Sequence, residues 1–345
     1  MPWAEVEFGL HISAENAALS IEELNKMFYA RYPRQYFKSA LQLAAASYHD
    51  PVQALSPLSE QVHLKGEPDE GVLQMQVTVE PDEVEAIRET ARLQIVSLYF
   101  HSLETFLRLF LAHAPGIECP WMQLVRDEGP PFVAKLKQLE DISATWESGE
   151  KPEDEHVLMA FFPVRDPEPG VKAAFGNAKS WLRFAAQECR RARVHNAFKH
   201  GISVRSGEPG LAVFSRADPR TEAGAKPVVE WSGEALITLA RVKRPDRSRD
   251  WVMEHRKLPV TETIGIVFLV QRWIQAILDV GELRYLNHRP ADRIDVPNVS
   301  YEELIERIRS KKESSPPWGM TSFTMPIGWA DLPPAPPEVS VPGSG

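Results

Sequence analysis

Three long stretches of the chain place apolar residues at helical spacing, and between the second and third the period falls to two. The first, PDEVEAIRETARLQIVSLYFHSLETFLRLFLAHAPG, opens with Pro81 and two acids. Those residues suit a first helical turn and its dipole. It stops at Pro115-Gly116. The second, VKAAFGNAKSWLRFAAQECRRARVHNAFKHG, predicts a helix with Gly201 in the left-handed position beyond its end. The third, TETIGIVFLVQRWIQAILDVGELRYL, is the most evenly apolar. Between them ISVRS, LAVFS, PVVEW, ALITLARVKR and WVMEHRKL alternate, separated by Gly, Pro and Asp, and predict a small antiparallel sheet.

The flanks read less sharply. WAEVEFG (3–9) and VLQMQVTV (72–79) alternate as short strands. Ser20 is placed to cap a helix through IEELNKMFYARYPRQYFKSALQLAAASYHD, with Pro33 breaking or kinking it. A short helix is expected at 132–140, and a loop over the acidic, Pro-rich 146–170. After Ser314 the chain is Pro-rich and too poor in apolar residues to pack alone, so disorder or an extended form is expected.

The expected fold is mainly α: a helical bundle with a small antiparallel β elaboration. Its parts are an N-terminal strand and helix segment (1–80), the bundle (81–290) with a β insert at about 202–258, and the tail (315–345). The most apolar run, 93–114, is interrupted by Ser97, His101, Ser102, Glu104 and Arg108, which would be costly in lipid. A buried helix is therefore expected and no membrane partner. The first residues show no basic-then-apolar leader. The two cysteines, Cys119 and Cys189, are far apart, which argues against a disulfide framework and a thiolate metal site. A cytoplasmic setting fits both. HExxH, GxxxxGK[ST], GxGxxG and GxSxG are all missing, so no metal or cofactor is expected.

Charge alters this picture locally. The net charge is -9, unlike a general nucleic-acid binder. Yet residues 190–257 carry fifteen Lys/Arg against eight Asp/Glu, a balance of +7, leaving -16 elsewhere. Such a region is either a footprint for an anion or a solvated face pairing with acidic segments of the chain. The run RVKRPDRSRDW (241–251) sets Arg244 and Arg247 at a hairpin tip beside Trp251, where a phosphate backbone could be gripped and a base stacked. A solvated turn has the same composition.

The densest polar cluster is RRARVHNAFKHG, 190–201. At helical spacing the apolar stripe of Ala178, Leu182, Ala185 and Cys189 continues into Arg193, Asn196 and His200, all within about 80° of one another. The other face carries Arg191, His195 and Lys199, beside Arg190. On the first long helix Ser97, His101, Glu104 and Arg108 form a polar line, which if buried needs partners. Glu104 against Arg193 or His200 is the expected pair. A histidine can move a proton, a guanidinium can neutralise a phosphate bidentately, and an asparagine can orient. Together they suffice for metal-free attack of a ribose 2'-hydroxyl on the adjacent phosphate. The same cations also suit a plain helix C-terminus, where each meets the dipole at ~0.3–1 kcal/mol.

R-A-R-V-H-N-A-F-K-H-G resembles the signature of HEPN-like proteins, in which an Arg precedes a His by four to six residues on a late helix of an α-bundle. YFHSLETFLRLFLAH is similar to the opening helix of such bundles. The resemblance covers about residues 82–114 and 173–286. It implies either a metal-independent endoribonuclease of toxin or defence type, with a homodimer joining two such helices, or a non-catalytic module binding RNA, a nucleotide or a protein partner. In the first case Arg193 would bind phosphate, His200 would act as general acid/base, Asn196 would orient, and Glu104 would support them. Arg190, Arg191, His195, Lys199, Arg244 and Arg247 would contact RNA. In the commonest form of the signature, aligned on His200, Asn196 fills the polar position and His195 stands where Arg is usual, which favours the binding module. A structural subunit that docks through its Pro-rich tail is a third reading.

Overall fold

The computed structural model describes residues 19–55, 61–63, 72–74, 80–127, 129–142, 152–162, 169–190, 204–207, 211–213, 229–231, 235–243, 249–257, 259–288, 293–310 and 322–326. Over these the protein is mainly helical. Helix α1 (Ile21–Arg31) begins as expected at Ser20. The Ser20 hydroxyl accepts from the Glu23 amide (3.2 Å) while the Glu23 carboxylate accepts from the Ser20 amide (2.8 Å), a reciprocal cap. Pro33 separates α1 from α2 (Tyr36–His49), and α3 (Pro51–Leu55) follows. Helix α4 (Glu83–His113) carries Glu83 and Glu85 in its first turn and ends before Gly116, whose φ is +65°.

Helices α5 (Pro120–Arg126) and α6 (Pro130–Glu140) each start on proline, which lacks the amide a first turn leaves unbonded. Helix α7 (Pro152–Phe161) overturns the loop expected over 146–170. Its acidic, Pro-started beginning is a helix N-terminus, and its apolar end is core. Phe161 packs edge-on against Trp273 (5.1 Å) and stacks with Phe110 (5.7 Å), while Phe162 stacks on Phe175 (4.3 Å). Helix α8 (Pro169–Arg190) is the second long helix.

The period-two region forms strands as its alternation predicted. Strands β3 (Val204–Gly207), β6 (Ala235–Lys243) and β7 (Arg249–Lys257) make an antiparallel sheet in the order β3-β6-β7. Strands β4 (Leu211–Val213) and β5 (Val229–Trp231) pair separately, as do β1 (Gln61–His63) and β2 (Val72–Gln74). The chain returns through α9 (Val260–Leu286), β8 (Arg293–Pro297) and α10 (Tyr301–Ser310). Strand β9 (Ser322–Pro326) then pairs antiparallel with β8. That part of the tail takes the extended one of the two forms expected of it and is hydrogen-bonded to β8; the rest of 315–345, and strand 3–9, lie outside the described residues.

Helix α9 is apolar on nearly every side and sits at the centre, as such a helix must. Trp273, Ile274, Ala276 and Ile277 are fully buried, in one core with Ile95, Leu103, Phe106 and Leu107 of α4 and Trp181 and Leu182 of α8. Helices α4 and α9 are long and apolar enough to cross a membrane by length and composition; 67% and 72% of their most apolar windows are buried within the fold.

At one end of α4 a polar cluster is sealed into this core. His113 Nδ1 lies 2.7 Å from the Leu109 carbonyl, to which it donates, so Nε2 accepts from the Tyr29 hydroxyl at 2.9 Å. Burial pulls the His113 pKa down to about 4, with the nearby Arg284 adding to this and the Leu109 bond opposing it. An imidazole with a normal unfolded value near 6.5 then takes up its proton more readily in the unfolded chain. Stability is fully present above pH 6.5 and falls as the pH drops toward about 4, by up to about 3 kcal/mol. Urea unfolding across this window should show a flatter pH dependence in His113→Gln, which keeps polar atoms without titrating; equal slopes would refute the assignment.

Candidate functional site

The apolar stripe of α8 faces the bundle. Ala178, Leu182 and Ala185 are fully buried, and Cys189 is 7% exposed. The helix is buried on other sides too, because α10 closes over it. The Ser180 hydroxyl donates to Glu302 (2.5 Å) and accepts from the Tyr301 amide (3.2 Å), and the Trp181 indole donates to the Val299 carbonyl (2.8 Å). These bonds fix the direction in which α8 leaves the core.

Near its end α8 borders a cavity of about 180 Å³ between α4, α8, α9, α10 and β6. Its polar lining is Tyr99, Glu188, Glu262, Thr263 and Tyr301; its apolar lining includes Val96, Phe100, Phe184 and Leu236. The Tyr99 hydroxyl donates to the buried Glu188 carboxylate at 2.9 Å. Phe184 and Tyr301 stack with centroids 3.6 Å apart. A carboxylate and phenol in a partly enclosed pocket can hold a hydroxyl or amine, or relay a proton. None of these residues was singled out from sequence. The signal was present: Ser180, Phe184 and Glu188 recur every four residues, setting a carboxylate on a helical line that continues the packed face.

Arg190 is the last described residue of this helix. It is exposed, and its guanidinium pairs with Glu140 of α6. Arg191, Arg193, His195, Asn196, Lys199 and His200 follow it directly and lie outside the described residues, as do Arg244 and Arg247. The strands on either side of the last two do form an antiparallel pair, in which Lys243 stands opposite Arg249.

The polar line of α4 is placed differently from the expectation of a buried line. Ser97 and His101 are exposed. His101 lies edge-on to Phe37 (5.1 Å) and Tyr36 (5.8 Å), because α2 covers only one flank of α4 there. Glu104 and Arg108 are half-buried. The Glu104 carboxylate accepts from Arg108 Nε (2.9 Å) and Nη2 (2.8 Å), and the guanidinium lies over the Phe132 ring at 4.2 Å. Arg108, one turn away on the same helix, is thus a partner of Glu104. Among the described residues no three His, Cys, Asp or Glu gather as a metal site would require. No family model, curated protein or solved structure matches the chain.

Proposed function

We propose that the chain is a HEPN-like, metal-independent endoribonuclease of toxin or defence type, working in the cytoplasm as a homodimer with no membrane partner. One observation carries the reading. The stripe Ala178, Leu182, Ala185, Cys189 is packed into the bundle, and by the same spacing Arg193, Asn196 and His200 come next in the sequence. In this reading Arg193 neutralises the phosphate, His200 moves the proton of the 2'-hydroxyl and Asn196 orients the group. Glu104, which accepts from Arg108, acts in addition as the supporting partner of Arg193 or His200. The basic positions Arg190, Arg191, His195, Lys199, Arg244 and Arg247 supply phosphate contacts, with salt-dependent affinity.

His195, standing where the usual signature has Arg, favours a second reading: a binding module for RNA, a nucleotide or a protein that does not cut. Purified protein incubated with RNA in EDTA separates the two. The nuclease reading expects 2',3'-cyclic phosphate ends and a loss of about 100-fold or more in rate for His200→Ala and for Arg193→Ala. Absence of cleavage, with all three proteins equally folded, sinks it. RNA retention that weakens in Arg244→Glu with Arg247→Glu then supports the binding module.

A further inference from the structure

The cavity of about 180 Å³ beside the end of α8 is lined by four aromatic rings as well as by carboxylates. Tyr99 and Phe100 come from consecutive positions of α4 and meet edge to face (5.0 Å). Phe184 of α8 and Tyr301 of α10 stack on each other (3.6 Å). Tyr301 is held there by the edge of Trp181 (5.7 Å) and by its own amide, which donates to the Ser180 hydroxyl. Tyr99, Phe100 and Phe184 are at most 8% exposed, so these walls belong to the core and are fixed before any ligand arrives.

The charge of the lining has one sign. Glu188 and Glu262 are acids, and no Lys or Arg lines the cavity among the described residues. Glu188 is 6% exposed and accepts from the Tyr99 hydroxyl (2.9 Å). A carboxylate has room for about four bonds, so Tyr99 need not give up its place. Glu262 stands in the first turn of α9. Its neighbour Thr263 donates its hydroxyl proton to the Pro259 carbonyl (3.0 Å), which leaves the hydroxyl oxygen as an acceptor.

Such a lining repels an anion. A calcium-like ion takes six or more oxygen ligands and gains nothing from aromatic walls. A cation that carries carbon gains from every side. Its charge is attracted by the carboxylates and the ring faces, and its methyl groups lie against rings and against Val96 and Ile266. At ~30 Å³ for each water in the liquid, the cavity has room for about six waters, the bulk of a small quaternary ammonium.

We propose that this cavity binds a small quaternary ammonium ion of the choline type: its charge lies between the Glu188 and Glu262 carboxylates, and its methyl groups meet the rings of Tyr99, Phe184 and Tyr301. None of the described lining residues serves in the RNA reading, so either can fail alone.

Calorimetric titration of the full chain tests it with choline chloride and tetramethylammonium chloride. Neopentyl alcohol serves as an uncharged molecule of similar shape, and calcium chloride as a cation without methyl groups. The expected result is saturable binding of at least one quaternary ion, about tenfold or more tighter than either control. Kd should rise about tenfold in Glu188→Gln, which keeps an oxygen for the Tyr99 hydroxyl, and in Glu262→Gln. Glu262 is half-buried at a helix start, so its variant keeps the fold and decides the matter even if Glu188→Gln unfolds. No saturable binding of either quaternary ion overturns the proposal. So does binding that Glu262→Gln leaves unchanged, or binding of neopentyl alcohol or calcium as tight as that of the better quaternary ion.

Discussion

Gly281→Ala is expected to lower stability by about 3 kcal/mol or more, although alanine is the better helix former by about 1 kcal/mol. A Cβ at this position in α9 would lie 2.4 Å from the Tyr29 hydroxyl oxygen and 2.8 Å from two ring carbons. Tyr29 cannot step aside. It is 2% exposed, stacked on Tyr285 (6.1 Å), met edge-on by Phe28 (5.0 Å) and bonded to His113. Relief would have to separate α1 from α9 or break the Tyr29–His113 bond, leaving a buried imidazole nitrogen without its donor. Thermal unfolding measures the loss. Tyr29→Phe removes the closest atom, so the double variant should lose less than the sum of the singles. An unchanged melting temperature in Gly281→Ala would show that the two helices are not held as described.

Arg34→Met is expected to cost about 3 kcal/mol at neutral pH. Arg34 follows α1 and reaches back to α9, where its two terminal nitrogens meet Asp279 (2.6 Å) and Glu282 (2.5 Å). Both carboxylates are at most 16% exposed. Burial already raises the Asp279 pKa, against the opposing pull of Gln275 and Arg34. Without the guanidinium it rises further. An acid whose folded pKa lies above its unfolded value loses stability as the pH rises through the folded value. The deficit of Arg34→Met is therefore largest at neutral pH and shrinks as the carboxyl groups take up protons. Measuring both proteins at each pH cancels the acid sensitivity of His113. A deficit that stays constant with pH would mean lost packing and not stranded charge.

Much of the helical framework was legible in the sequence, because it depended on period and punctuation alone. Pro33, Pro81, Ser20 and the Pro115-Gly116 stop each mark a boundary through local backbone chemistry, which tertiary contacts did not override. The alternation between 202 and 258 worked for the same reason. Helix α7 was hidden because its acidic, proline-led start has loop composition, while its purpose lies in Phe161 and Phe162, which matter only once Trp273 and Phe175 are beside them. Strand β9 was hidden likewise: its hydrogen bonds belong to β8, a distant segment. The polar line on α4 had the right spacing, but spacing cannot tell which neighbour covers a helix, and α2 leaves His101 at the surface. The partnership of Tyr99 with Glu188, and the stacking of Phe184 on Tyr301, join residues far apart in sequence. No single-chain pattern encodes either.

The pairing of α4 with α9 has a consequence for the order of assembly. Their facing surfaces form the middle of the core, yet one ends at residue 113 and the other begins at residue 260. The entropy of closing so long a loop grows slowly, about 0.6 kcal/mol for each doubling, so the equilibrium fold tolerates the separation. The rate does not escape it: a protein whose central contacts are this distant folds more slowly than a helical bundle built from neighbours. During synthesis the apolar face of α4 waits, without its main partner, until the ribosome has delivered residues 260–286. For that interval the apolar surface of the nascent chain is open to aggregation.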